Sequence, residues 1–499
     1  VGFSPRDQAG DASLPNGFRS RELRGNHLPS LAQQGLDALR ETREVNAMSL
    51  VASARRELRP TVALAVPIVV GQVSQMLMGL TDSAMIGHAG TVPLAASAFA
   101  SNIYNIFYVM GIGLMLPVAV FVARARGAGS PREAREYLRH GCLLAVGFGL
   151  VEMLLMGVLA TQLHRFGQPP EVVAAVGPYF LLCAVSIVPV LLQLTLRQFA
   201  EAMGHPWVPM IITLGAVALN ALLNWILIYG HWGAPAWGLT GAGVATLVAR
   251  ICASLGLWLW IAGNPRLGVT RRAPADGAAA PVGPTWSGSR LREMLGVGLP
   301  AAGMLLFEAT AFSVSGLMVG WLGAVPLAAH QIAITCASLT FMVPLGLSMA
   351  AGMRLSHAVG AGERDRFRPL GLSALGAGLL CMLGFMTLFW LAGRPLAAAF
   401  SADPAVIGLA TGLLAVAAVF QLADGVQVIS AALLRSLLDV RVPVAITFLA
   451  YWGLALPLGY GLGVAGPWGA AGIWAGIAGG LGFAAVFLPL RFLRLTRAC

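Results

Sequence analysis

Long uncharged runs dominate this chain and dictate its surroundings. Cys142 to Ala160, for example, contains a single charged residue, Glu152. About 20 apolar residues in a helix suffice to cross the hydrocarbon core of a bilayer. In that core only helices and closed barrels satisfy their own backbone hydrogen bonds. Runs of this kind recur, and we place twelve spans at 62–86, 93–122, 138–161, 171–195, 207–230, 238–262, 294–321, 325–353, 369–393, 404–431, 442–463 and 468–490. The composition agrees: 57% of the residues are apolar and 11% charged, where a soluble domain carries roughly 25% charged residues. The expected fold class is an all-α integral membrane protein, which excludes a soluble enzyme.

Charge sets the orientation. The net charge is +11 and the basic residues other than histidine are all arginines. The loops after spans 2, 4, 6, 8 and 10, with the adjoining helix ends and the C-terminal tail, gather most of them, from Arg124, Arg126 and Arg132 to Arg491, Arg494 and Arg497; the opposite loops hold Arg165 and Arg394. Arginine-rich loops stay cytoplasmic, so both termini are expected there. A positive membrane face meets anionic lipid headgroups, so the basic balance does not point to nucleic acid.

The chain also repeats itself at an offset of 233 residues. Val92–Ala96 falls on Val325–Ala329, Gly127-Ala-Gly129 on Gly360-Ala-Gly362, Pro67 on Pro300, Gly87 on Gly320 and Gly90 on Gly323. Later spans echo with small shifts: Arg197 and Glu201, like Arg435 and Asp439, are four apart, a spacing that places both members on one helix face. Six spans is an even number, so the second half enters with the same orientation as the first. Two parallel six-helix lobes around a cleft suit alternating access. The expected division is a polar, disordered N-terminal extension at 1–57, an N-terminal lobe at 58–262, an irregular cytoplasmic linker at 263–292, a C-terminal lobe at 293–490 and a basic tail at 491–499. Within the extension, Met48 is a sensible start, since Arg55, Arg56 and Arg59 then lie just before the first span.

Acidic groups at mid-membrane cost ~2.5–3.5 kcal/mol on insertion scales, so they are functional candidates by default. Asp82 lies late in span 1, with Gln72, Gln75 and Gly79 on the same face. Asn220 and Asn224 project together from span 5. Glu308 in span 7, and Asp424 in span 10 flanked by Gln421 and Gln427, are two carboxylates of one half with no mid-span arginine beside them in sequence. A cation or a proton would compensate them, and a charge crossing 100 mV gains ~2.3 kcal/mol, enough to drive uphill exchange. Asn102 and Asn105, with Gln72, Gln75, Gln421 and Gln427, are candidate residues of a substrate cleft. Glu152 has no polar company in its own helix and reads as structural or as a cavity edge; His330 and Gln331 read as packing and capping groups. Arg250, four after Thr246, either pairs with Asp82 or Glu152, or snorkels, or marks a span placed too late. Five of the six cysteines sit inside apolar runs without metal spacing and read as packing residues. Without a lysine there is no phosphate-binding loop of the Walker type, and HExxH, CxxC and GxSxG are absent. No catalytic site is expected.

These residues together resemble the multidrug and toxic compound extrusion (MATE) transporters, in particular their bacterial norfloxacin-exporting branch. The resemblance runs from about Pro67 to Leu490 and is carried by Gly79–Gly87, Leu219–Trp225, Leu306-Phe-Glu308, Ala328–Gln331 and Gln421–Gln427. It implies a V-shaped pair of lobes and cation-coupled efflux of small organic cations by a monomer of the bacterial inner membrane. It implies a cation or proton site at Asp82, Asn220, Asn224 and Thr246, and a second at Glu308 and Asp424, where sodium is one candidate ion. No cofactor beyond the coupling ion is implied. One departure stands out: the branch carries a tyrosine where this chain has Phe420, which puts sodium coordination at the second site in question. Two other readings are a flippase for a lipid-linked precursor, which should need several arginines in its cleft, and a membrane-embedded enzyme or scaffold, which should gather its polar groups in one half.

Overall fold

The computed structural model describes residues 28–265, 267 and 286–497, with side chains from Ser49 onward. The described residues up to Val51, helical from Leu28, form a unit of their own; Ala52 onward forms the second. The expectations about residues 1–27 and about the body of the linker lie outside the described residues. Among the described residues there is no strand, and twelve helices are long and apolar enough to cross a membrane. We number them α1 (Leu28–Ala89, of which Ser49–Ala89 is the span), α2 (Thr91–Gly127), α3 (Pro131–Ala160), α4 (Pro170–Ala202), α5 (Trp207–Tyr229), α6 (Leu239–Gly263), α7 (Gly288–Gly320), α8 (Ala324–Ala361), α9 (Phe367–Ala398), α10 (Pro404–Ser436), α11 (Arg441–Val464) and α12 (Gly469–Leu495).

Large apolar side chains stand outside, as they must where lipid is the solvent: Leu154, Leu380 and Leu391 are 65%, 72% and 81% exposed. Glycines with positive φ break the helices at repeat-related points. Gly90 (φ 141°) and Gly323 (φ 114°) separate α1 from α2 and α7 from α8; Gly129 (φ 67°) and Gly362 (φ 74°) follow α2 and α8. Side chains rarely tolerate these angles, which explains why glycine recurs there at one offset.

Most helices outrun the spans expected for them. Residues 28–57 are helical, and leucine, alanine, glutamate and arginine are good helix formers. The last five linker residues, 288–292, belong to α7, and 491–495 of the tail belong to α12. A hydropathy window ends where charge begins, whereas a helix continues into the polar interface.

In the N-terminal half α4 packs on α2, α3 and α6, and α5 on α6; in the C-terminal half α10 packs on α8, α9 and α12, and α7 on α11. The halves meet through α2 against α7 and α8. Two pairs of close approaches obey the repeat. A Cβ on Gly113 would strike Ala302, and one on Gly346 would come within 3.0 Å of the Val69 backbone. A Cβ on Gly127 would strike His357, and one on Gly360 would strike Arg124. Gly113 and Gly346, Val69 and Ala302, Gly127 and Gly360, and Arg124 and His357 are each 233 apart. Such backbone contact is how helices associate in lipid.

The core is divided along the membrane normal. One apolar cluster crosses the halves at the arginine-rich end, with Leu114, Phe121, Val297, Leu347 and Met353 among its members. Toward the other end the halves have separate cores, one around Ile86, Ile103 and Phe180, the other around Ile332, Phe389 and Trp474.

The two similar four-residue pairs do not behave alike. Arg197 Nε donates to Glu201 Oε1 at 2.8 Å, both buried. Asp439 instead accepts from Arg491 Nε at 2.9 Å. Helix α10 stops at Ser436 and Leu438 adopts φ 61°, which turns Asp439 off the helix face that carries Arg435.

Candidate functional site

The N-terminal half brings Asp82, Asn220, Asn224 and Thr246 together from α1, α5 and α6. Asn224 Nδ2 donates to Asp82 Oδ1 at 2.5 Å and Thr246 Oγ1 to Asp82 Oδ2 at 3.2 Å. Asn220 Nδ2 donates to Thr246 Oγ1 at 3.2 Å, and Asn224 Nδ2 also reaches Asn220 Oδ1 at 3.3 Å. Both asparagines are fully buried, and Asn224 Oδ1 has no hydrogen-bond partner. Asn220 and Asn224 meet Asp82 because their spacing of four stacks them on one face of α5.

Arg250 neither pairs with an acid nor snorkels. Its Nη1 donates to Tyr104 Oη at 2.6 Å and to Ser186 Oγ at 2.5 Å, and its guanidinium lies 5.0 Å from the Tyr104 ring centroid. It ties α6 to α2 and α4, close enough to act electrostatically on Asp82. Glu152 is buried in α3 and neither of its carboxyl oxygens has a partner.

The C-terminal half gathers Glu308 of α7, Gln421, Asp424 and Gln427 of α10, and Tyr451 of α11. Gln427 Nε2 donates to Glu308 Oε2 at 3.5 Å and Tyr451 Oη to Gln427 Oε1 at 3.2 Å. Gln421 Oε1 accepts from Thr340 Oγ1 of α8 at 2.5 Å. Gln427, three residues after Asp424 on α10, links that helix to Glu308. Asp424 Oδ1 and Gln421 Nε2 are buried without partners. A buried polar atom left unpaired costs ~1–3 kcal/mol, so these atoms are primed for a ligand that supplies the missing contacts.

The cleft candidates separate. Asn102 and Asn105 are exposed on α2. Gln72 is half-buried, and Gln75, also half-buried, accepts from Arg197 Nη1 at 3.4 Å. Gln421 and Gln427 are each 2% exposed, and of the two Gln427 bonds to Glu308 while Gln421 bonds to Thr340. His330 is a packing group, with Nδ1 accepting from Trp474 Nε1 at 3.1 Å. No group of three or more His, Cys, Asp or Glu side chains suited to a metal ion occurs among the described residues.

Tyr451, Thr340, Tyr104 and Ser186 are members of these clusters that sequence reasoning missed. Tyr451 matters most. Phe420 has no hydroxyl and packs edge-on against Phe312 and Trp474; Tyr451, arriving from α11, supplies a phenol to the same acid cluster. It lies in a π-helical stretch, Leu449–Ala455. A tyrosine in the middle of an apolar span was the available signal, although the same span carries Tyr460 nearer its end.

Two halves of six helices, each setting an acid within apolar spans beside amide and hydroxyl groups, have the plan of a membrane transporter. The chain belongs to the MATE family of multidrug transporters, matching MatE over residues 67–226 and 300–461. It is 35% identical over 452 residues to the probable multidrug resistance protein NorM of Mesorhizobium japonicum, covering 89% of this chain and 95% of that one. It is 34% identical over 446 residues to the multidrug resistance protein NorM of Burkholderia vietnamiensis, covering 88% and 94%. Among solved structures, a multidrug resistance MATE family transporter of the MOP superfamily, in an outward-facing conformation, superposes with a TM-score of 0.79 at 19% identity, over 89% of this chain and 96% of that one. The Vibrio cholerae MATE transporter VcmN, in its bent form, gives 0.78 at 21% identity, over 90% and 98%. The family and the twelve spans make this a multi-pass protein of the bacterial inner membrane that exports small organic molecules.

Proposed function

We propose that this protein is a secondary antiporter that exports organic cations in exchange for inward sodium ions or protons. The observation that carries the reading is the pair Glu308 and Asp424: two carboxylates gathered in one lobe through Gln427, one with an unpartnered buried oxygen, and no arginine among the described residues bonded to either. Such a pair holds one cation at a time, and competition between the organic and the inorganic cation couples their fluxes. Asp82 with Asn220, Asn224 and Thr246 serves as a second proton or cation site in the other lobe. The chain works as a monomer in contact with anionic lipid, with both termini in the cytoplasm, the linker at 263–292 joining the lobes, and no cofactor beyond the coupling ion.

In everted vesicles an energised gradient should drive uptake of ethidium, and Asp424→Asn should abolish it. Undiminished uptake in that variant would remove Asp424 from the mechanism. Transport that persists without sodium and collapses with a protonophore would assign the proton; the opposite pattern would assign sodium.

A further inference from the structure

Among the described residues, the hydrogen bonds and ion pairs that join the lobes cluster at the arginine-rich ends of the helices. Glu57 of α1 is the hub of one group. Its carboxylate accepts from Arg354 Nη2 of α8 at 2.5 Å, and from Arg366 Nε and Nη2, just before α9, at 2.8 and 3.1 Å. Arg354 Nη1 also donates to the Glu57 carbonyl at 2.7 Å and to Thr61 Oγ1. The second group joins α3 to α7. Arg290 pairs with Glu136, which also accepts from Arg132 Nε at 3.3 Å. The Arg290 guanidinium lies 5.6 Å from the Tyr137 ring centroid, and Tyr137 Oη donates to Glu293 Oε2 at 3.1 Å.

The repeat relates the two groups with their signs exchanged. The 233-residue offset places Glu57 on Arg290 and Arg366 on Glu133, one helical turn before Glu136. On one side an acid of α1, at the arginine-rich end of its membrane span, meets bases of the other lobe. On the other side a base at the start of the seventh helix meets an acid of the first lobe. Between them Arg124 Nη2 donates to the Ser436 carbonyl at 2.5 Å, beside the crossing of α2 and α8 at Gly127 and Gly360. Beneath them lies the core cluster that, among the described residues, spans both lobes.

We propose that these two charge-reversed ion clusters form a paired lock that holds the lobes together at the arginine-rich face, and that Glu57, Arg354, Arg366, Glu136 and Arg290 are positioning residues of the transport cycle. Opening toward that face breaks both clusters, while the site residues stay inside their own lobes. Each cluster pairs a sheltered acid with one better-sheltered and one more exposed base: Glu57 and Glu136 are 12% and 11% exposed, Arg354 and Arg290 15% and 26%, and Arg366 and Arg132 39% and 54%. The second cluster lines an open depression of about 540 Å³. The Glu57–Arg354 pair is the better sheltered of the direct inter-lobe pairs, and exposed pairs are screened more. This rests on the reading of the chain as an alternating-access transporter.

The test uses the full chain with its cysteines replaced and spin labels at Ala128 and Ala361, exposed positions on opposite lobes. Dipolar broadening of the continuous-wave spectrum should show the two labels close together in the parent, with double electron–electron resonance reading any longer population. Glu57→Gln should raise a longer population at least fivefold, Arg290→Gln by less, and the double variant by more than either. The charge-exchanged pair Glu136→Arg with Arg290→Glu should restore the short distance that each single reversal loses, which separates the lock from misfolding. An unchanged distance distribution in the Glu57→Gln/Arg290→Gln double variant, or no recovery in the exchanged pair, overturns the proposal. Opening without ethidium transport in the parent leaves the lock standing and removes the antiport reading. Labelling with a membrane-impermeant thiol reagent from each side then reports which face has opened.

Discussion

Glu152 and Asp82 are both acids within apolar helices, and their surroundings set them apart. Asp82 takes hydrogen bonds from Asn224 and Thr246, whereas Glu152 has none. Substituting Glu152 by leucine, of similar bulk, removes an unsatisfied polar group and should stabilise the protein by about 1–3 kcal/mol. Thermal unfolding in detergent should show a higher midpoint, and ethidium transport should stay within about twofold of the parent. A large loss of transport would make Glu152 part of the coupling machinery. The sequence made both residues visible through the rarity of charge in these spans. It could not show their partners, because those come from other helices. Arg250 was left with several readings for the same reason: Tyr104 and Ser186 are more than sixty residues away in the chain.

At the scale of helices, α11 departs most from expectation. Its sequence reads as an ordinary apolar span, but Leu449–Ala455 and Tyr460–Val464 are π-helical. Such bulges change which face a side chain presents and often occur at functional positions. Here the first bulge carries Tyr451, which supplies the phenol that Phe420 lacks. Tyr451→Phe removes a neutral hydrogen bond of about 0.5–1.5 kcal/mol. The half-saturating concentration of coupling ion for ethidium export should rise roughly two- to tenfold, with little change in maximal rate. An unaltered ion dependence would confine Tyr451 to packing. A second lesson comes from α10. The spacing of Arg435 and Asp439 suits a helical pair, but the left-handed turn at Leu438 ends the helix between them.

Across the whole molecule, arginine bias and internal repetition carry most of what can be read. The bias predicts cytoplasmic termini. A green fluorescent protein fused after Cys499 should therefore fluoresce, whereas an alkaline phosphatase fused there should be inactive; the reverse result would invert the orientation. The repeat was visible as matching blocks, and three of the glycine pairs within it now have distinct physical roles. Gly90 with Gly323 and Gly129 with Gly362 make turns, while Gly127 with Gly360 lets the lobes touch. Gly113 with Gly346, equally part of the repeat, shows its purpose only when the two helices it separates are brought together.

The sequence by itself determined the membrane as solvent, the twelve spans, the duplication and the short list of acids, because each of these is written in local hydropathy or in spacing along one helix. The tertiary structure decided which acid has partners and which has none, that Tyr451 joins Glu308 and Gln427, and that the lobes share a core at one end and part at the other. Those depend on contacts between residues far apart in the chain, and the energy of a charge in a low-dielectric interior is set by such neighbours rather than by its own position.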